Sequence, residues 1–286
     1  MPGLTDRDRK FQQYFTLLAP QYIHLTSSTT YNLLLEAFEG PLKARLSSLL
    51  TSTPSVIVHD NASGPGTATS ALLTFCQTSN LPIPTVYATD YTEAMIEALQ
   101  RQVRDQGWTK VHPRVVDSQA LDFEDTFFDL SIVNFSIANF ANAELAINEM
   151  YRTLKPDRTA IVSNWETFGF ATVLDAAMRK VRPNAGQMPV AGPEFMQKDV
   201  LVRTLAGAGF EKDKIQVYQT KIVVSDDEGL AGISDFMNGP YLGPVALTLS
   251  DNEKREWPGA VAKVIEEAKV AGGGVVCQAW VLAASK

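Results

Sequence analysis

Residues 56–67, VIVHDNASGPGT, join a β-branched run, Ser55 to His59, to an acid, Asp60, and then to a loop carrying Gly64 and Gly66. A helix-compatible stretch, Thr67 to Thr78, follows at once. This is a strand, a tight turn and a helix start. Glycine in such a turn removes the Cβ that would keep a ligand away from the backbone and the helix N-terminus. A glycine-rich turn after a strand serves a dinucleotide equally well. The acid ahead of the glycines discriminates, because a carboxylate there would face a pyrophosphate's negative charge. A ligand with an ammonium and a sulfonium group accommodates it.

The same texture continues outward from this stretch. Thr85 to Thr89 ends in Asp90 and is followed by helical Thr92 to Gln106; Arg114 to Val116 ends in Asp117. Phe128 to Phe135, helical Ala143 to Leu154 and Thr159 to Asn164 come next. Strands alternating with helices of this length predict a parallel sheet with helices on both faces. Right-handed crossovers place the strands' carboxyl ends on one edge, where ligands bind. Helical Asp199 to Ala208, alternating Lys214 to Val224, a helix from about Asp251 to Val270 and a closing run, Gly274 to Ala284, complete the pattern. The expected fold is α/β: a doubly wound, Rossmann-like sheet of seven mostly parallel strands. Residues 1–54 read as an amino-terminal helical lid, built on Phe11, Phe15, Leu18 and Ala19, then Tyr31 to Phe38, then Leu42 to Leu50. Residues 55–286 form the main domain, with cap insertions at about 166–198 and 225–250, where function tends to sit.

Composition narrows the function classes. The 286 residues are 45% hydrophobic and 20% charged, ordinary for a globular chain, with a net charge of −7. That charge argues against a nucleic-acid substrate, which needs attraction to phosphate. The two cysteines, Cys76 and Cys277, make neither a disulfide framework nor a metal cluster. The opening MPGLTDRDRK lacks the apolar core of a secretory signal, and no apolar run approaches membrane-spanning length. The expectation is a cytoplasmic protein without a membrane segment or metal.

The loop D-N-A-S-G-P-G resembles the first motif of class I S-adenosylmethionine-dependent methyltransferases, D-x-G-x-G-x-G, with Ala62 in place of the first glycine. Three later strand ends fit the same family in order: Y-A-T-D-Y-T-E-A-M, V-V-D-S-Q-A-L and F-D-L-S-I-V-N-F. The resemblance implies S-adenosylmethionine as cofactor and S-adenosylhomocysteine as product. It implies that Asp60, Asn61, Ala62, Gly64 and Gly66 form the cofactor loop. Asp90 would hold the ribose, with Tyr91 and Met95 bordering the adenine. Asp117 would accept the adenine amino hydrogen, with Ser118, Gln119 and Ala120 beside the ring, and Asn134 and Phe135 would border the methionine arm. The amino-terminal Y-F-T-L-L-A-P-Q-Y resembles a family helix folding over the cofactor, which implicates Tyr22 and Tyr14. L-K-P-D-R-T-A stands where relatives carry L-K-P-G-G, with Asp157 and Arg158 replacing both glycines. The layout is most similar to fungal natural-product methyltransferases, including gliotoxin thiol-methylating enzymes.

Methyl transfer to a small acceptor needs alignment and exclusion of water more than a metal or covalent residue. A base helps only a poorly acidic hydroxyl. Among the three histidines, His59 reads as core and His112 as surface, while His24, two residues after Tyr22, could reach the acceptor as a base. Trp165, Phe168, Phe170 and Met178, with Phe236, Met237 and Tyr241 from the second insertion, suit a flat or apolar metabolite; they equally suit the insertions' own core. The expected reaction is methylation of an oxygen, nitrogen or sulfur atom of a small secondary metabolite. Rearrangement or cyclisation with the same cofactor, a non-catalytic regulatory protein of this fold and a nicotinamide-dependent oxidoreductase are the alternatives. The second insertion could also serve as a homodimer contact.

Overall fold

The structure, a computed structural model, describes residues 12–16, 27–187, 191–239 and 248–286. The main elements in chain order are α1 (Ser27–Glu39), α2 (Lys43–Thr51), β1 (Ile57–Asn61), α3 (Thr67–Thr78), β2 (Thr85–Asp90), α4 (Glu93–Asp105), β3 (Val111–Val115) and β4 (Phe128–Asn134). They continue with α5 (Ala143–Thr153), β5 (Leu154–Thr167), α6 (Gly169–Val181), α7 (Lys198–Gly207), β6 (Gln216–Val224), α8 (Asp227–Asn238), α9 (Asp251–Gly272) and β7 (Val275–Ser285). One seven-stranded sheet has the order β3-β2-β1-β4-β5-β7-β6, parallel from β3 to β5, with β7 antiparallel to both its neighbours. This is the doubly wound arrangement that the strand–helix alternation predicts. The order reverses between β1 and β4, so a crevice opens beyond the carboxyl ends of β1, β2 and β4.

Both faces of the sheet are covered. On one, Leu34, Phe38, Leu46 and Phe75 from α1, α2 and α3 pack with Val58, Val86, Leu130 and Val281 of the strands. On the other, Ile147, Met150, Leu201 and Leu205 of α5 and α7 pack with Phe128, Val162 and Leu282. Residues 27–51 therefore share the core of the sheet; α1 and α2 are part of its helical layer. A second core lies above the ligand edge, where α6, α8 and α9 enclose Phe170, Met178, Ile233, Met237, Trp257 and Val261. Ser250 and Glu253 form a capping box at the start of α9, and Gly273, at φ 77°, closes its end in the left-handed region.

Several boundaries differ from the sequence reading. β1 runs through Asp60 and Asn61, so the acid lies in the strand. β3 starts at Val111 and contains His112 and Pro113; as an edge strand, it tolerates a proline. β5 starts at Leu154, which pairs with Phe128 across a register shift, so LKPDR belongs to the strand. Asp157 takes φ 59°, a conformation that aspartate tolerates better than most residues, and its N–H donates to the Lys286 carbonyl. Trp165 consequently lies inside β5, two residues before its end.

Candidate functional site: a cleft at the carboxyl edge of the sheet

The chain turns sharply after β1 and three ties hold the turn. The Ser63 N–H donates to the Thr89 carbonyl at 2.8 Å, the Gly64 N–H to Asp90 Oδ2 at 2.9 Å, and Ser136 Oγ to the Ala62 carbonyl at 3.1 Å. The loop is thereby fixed to the ends of β2 and β4. Ala62 sits at φ 56° and Gly64 at φ 54°, and open space lies where a Gly64 side chain would stand. Gly66, at φ 96°, has another role: a Cβ there would come within 2.5 Å of Leu99 Cδ1. Its missing side chain lets the loop lie on α4, and it does not line the cleft.

A cleft of about 850 Å³, counting the space open to solvent at its mouth, lies over this loop. The glycine loop contributes Ala62, Ser63 and Gly64; the end of β2 contributes Asp90 and Tyr91, with Met95 from α4. Asp117, Ser118 and Gln119 follow β3, and Asn134 and Phe135 close β4. Gly64, Asp90 and Asp117, set at the ends of three separate strands, thus face one cleft. Phe15, Thr30, Ser136, Asn139, Phe140 and Ala141 also line it, and sequence reasoning missed them. The signal was available for the last four, because S-I-A-N-F-A directly continues the β4 motif.

Asp90 is 7% exposed, and its oxygens accept the Gly64 and Thr92 N–H groups at 2.9 and 2.8 Å. Burial raises its carboxyl above the ordinary range, and those two donors pull against the rise. Asp117 Oδ1 accepts from both the backbone N–H and the side-chain amide of Gln119, at 2.9 and 3.3 Å. Asn134 Oδ1 accepts from Ser163 Oγ at 2.7 Å. Phe135 holds φ 55°, a strained backbone for a bulky residue, and its ring lies 4.3 Å from that of Trp165.

Other expected site residues lie elsewhere. Asp60 and Asn61 are buried beneath the loop and do not line the cleft. Asp60 Oδ2 accepts from the Thr69 N–H and hydroxyl at 2.9 and 2.6 Å, pinning the first turn of α3. Asp60 Oδ1 and both polar side-chain atoms of Asn61 lack a partner among the described residues. Tyr14 stands edge-on to Phe15 and packs near Met95, away from the cleft wall. Phe170, Met178 and Met237 are at most 2% exposed inside the cap core. Trp165, Phe168 and Phe236 are half-buried against that core, and none of the three lines the cleft. The stacked series Trp165, Phe168, Phe170 instead runs from Phe135 into the cap. Tyr22, His24 and Tyr241 fall outside the described residues.

His59 is fully buried, stacks 4.5 Å from Phe128 and bonds Thr89 Oγ1 at 2.9 Å, as a core residue should. Burial lowers its pKa to about 3, whereas burial raises that of Asp60 to about 6. Between pH 6.5 and 3 the unfolded chain protonates at His59 and the native state does not, so acidification costs stability. Between pH 6 and about 4 the native state instead takes up the extra proton at Asp60, so acidification restores stability. Asp60→Asn removes the second effect. The variant should lose stability more steeply than wild type from pH 6 to 4 in urea unfolding, and an unchanged slope would refute the assignment.

Comparison with known proteins gives the family. Residues 41–201 match the model of the ubiE/COQ5 methyltransferase family, more than half of the chain. The chain belongs to the ubiE/COQ5 methyltransferase family. Members are S-adenosylmethionine-dependent enzymes of the class I fold. The match covers the glycine loop and all three strand-end turns, and it replaces the nicotinamide reading. An uncharacterised protein of Mycobacterium tuberculosis H37Rv is 29% identical over 160 residues, 54% of this chain and 53% of that one. The methyltransferase tpcH of Aspergillus fumigatus is 24% identical over 119 residues, 42% of each chain. This chain thus spans about half the length of these relatives. The crystal structure of the [4+2]-cyclase SpnF is 19% identical, with a TM-score of 0.49, covering 85% of this chain and 80% of that one.

The cleft fits the family's cofactor. Its lining carries the carboxylates of Asp90 and Asp117, which suit hydrogen-bond donors of a nucleoside, and no lysine or arginine among the described residues. Gly64 leaves backbone open to close approach. No helix among the described residues is long and apolar enough to cross a membrane.

Proposed function

We propose that this protein transfers a methyl group from S-adenosylmethionine to an oxygen, nitrogen or sulfur atom of a small aromatic or apolar secondary metabolite. The observation that supports this reading best is the meeting of Gly64, Asp90 and Asp117 on one cleft. S-adenosylmethionine supplies a methyl carbon on a sulfonium, open to in-line attack by an acceptor lone pair. Asp90, with one acceptor site of each oxygen already used by backbone, offers the remaining lone pairs to a ribose diol. Asp117 presents its second oxygen to an adenine amino group. Asn134 and Phe135 border the methionine arm, and Phe135 also forms the wall toward the cap. Ser136, Asn139 and Phe140 lie beyond it, where an acceptor would sit. The aromatic series behind Phe135 makes that side apolar and water-poor, which favours displacement. His24 is the candidate base where the acceptor is a weakly acidic hydroxyl.

Titration calorimetry and mass spectrometry test the reading together. S-adenosylhomocysteine should bind at one site per chain and NAD should not. Incubation with S-adenosylmethionine and candidate phenols, thiols and amines should yield a product heavier by one methyl group. Tight NAD binding without S-adenosylhomocysteine binding would overturn the cofactor assignment. A product of unchanged mass would redirect the reaction to rearrangement or cyclisation.

A further inference from the structure

Gln119 occupies an unusual position between two sites. Its backbone N–H and side-chain amide both donate to Asp117 Oδ1, at 2.9 and 3.3 Å. Its side-chain oxygen accepts the Asn142 N–H at 2.8 Å. Asn142 is the N-cap of α5, and its own Oδ1 accepts from the Leu145 N–H at 3.0 Å. In a capping box the third helical residue returns a carboxylate or amide to the N-cap N–H. Here that residue is Leu145, which cannot, and Gln119 from the loop after β3 supplies the acceptor instead. One carboxamide therefore joins the Asp117 carboxylate to the start of α5, whose preceding loop supplies Asn139, Phe140 and Ala141 to the cleft.

The consequence concerns the direction of the Asp117 carboxylate. With Oδ1 held by two donors from one residue, Oδ2 has no partner among the described residues. We propose that Gln119 is a positioning residue: it holds Asp117 so that Oδ2 alone accepts from the cofactor's purine, and so sets selectivity for a 6-amino over a 6-oxo base. This rests on the cofactor reading above. A carboxylate free to rotate could turn its oxygens away from a purine carbonyl. A carboxylate held at Oδ1 cannot, so a 6-oxo purine meets an acceptor facing an acceptor. A charge-assisted hydrogen bond lost in this way is worth about tenfold in affinity.

The test is calorimetric binding of S-adenosylhomocysteine and of S-inosylhomocysteine, its 6-oxo counterpart, to the full chain. Wild type should favour the adenosyl compound by about tenfold or more. Gln119→Met, similar in length but with a side chain unable to donate or accept, removes the amide donor at 3.3 Å and keeps the backbone N–H at 2.9 Å, so it should lower the ratio by about threefold. Gln119→Glu keeps an acceptor for Asn142 while losing the amide donor to Asp117. It should also reduce the ratio, and thermal unfolding near the wild-type midpoint shows that the variant is folded. A role confined to capping α5 would lower the melting temperature of Gln119→Met and leave the ratio intact; that result overturns the proposal, as does an unchanged ratio in Gln119→Glu. Failure of wild type to bind S-adenosylhomocysteine defeats the cofactor reading itself and the proposal with it.

Discussion

Asp90→Ala should weaken S-adenosylhomocysteine binding by about 1–3 kcal/mol, roughly 5- to 150-fold, in titration calorimetry. Two losses combine in this estimate. Removing the carboxylate takes away the acceptors for a ribose diol, and it strands the Gly64 and Thr92 N–H groups that Asp90 now holds. The second loss also loosens the turn that carries the cofactor loop. Asp90→Asn preserves shape and one acceptor oxygen, so its affinity should lie between those of alanine and wild type. Wild-type affinity in Asp90→Ala would remove this residue from the site.

Phe170→Ala is expected to cost about 3–5 kcal/mol of folding stability, read from the urea midpoint. The ring is 2% exposed, stacks 5.4 Å from Phe168 and stands edge-on to Phe236 at the same distance. Its loss leaves a void where α6 meets α8. Affinity for S-adenosylhomocysteine should stay within about threefold of wild type, because Phe170 does not line the cleft. A loss of under about 1 kcal/mol, paired with failure to bind an identified acceptor, would instead return Phe170 to the ligand wall.

These two residues mark what a one-dimensional reading can and cannot reach. Asp90 was legible because a strand-ending acid followed by a helix is a local pattern, and the parallel topology brings every such end to one edge. Gly66 was only half legible. Its need for a missing side chain was plain, but the reason, Leu99 on the next helix, is a tertiary contact. Phe170, Met178 and Met237 were ambiguous because aromatic and methionine residues near a ligand edge suit a pocket and a core equally. The partner that decides, Trp257 on α9, donates from its indole to the Met237 carbonyl across 20 residues of sequence. At LKPDR, proline and aspartate resemble a turn, and only the pairing of Leu154 with Phe128 reveals strand. Phe15 and Thr30 reach the cleft from segments whose contribution no spacing rule announces.

The order β5-β7-β6 also bears on how the protein comes into being. β6 meets the sheet only through β7, yet β7 follows it in the chain by some fifty residues. A polypeptide leaving the ribosome exposes Gln216–Val224 before any strand partner for it exists, and the free edge of β5, which ends at Thr167, waits about twice as long. Such non-local pairing slows folding and leaves sticky edges uncovered meanwhile. Completion of the sheet thus comes late and waits on residues 275–285, and chaperone demand should concentrate in the interval before they arrive.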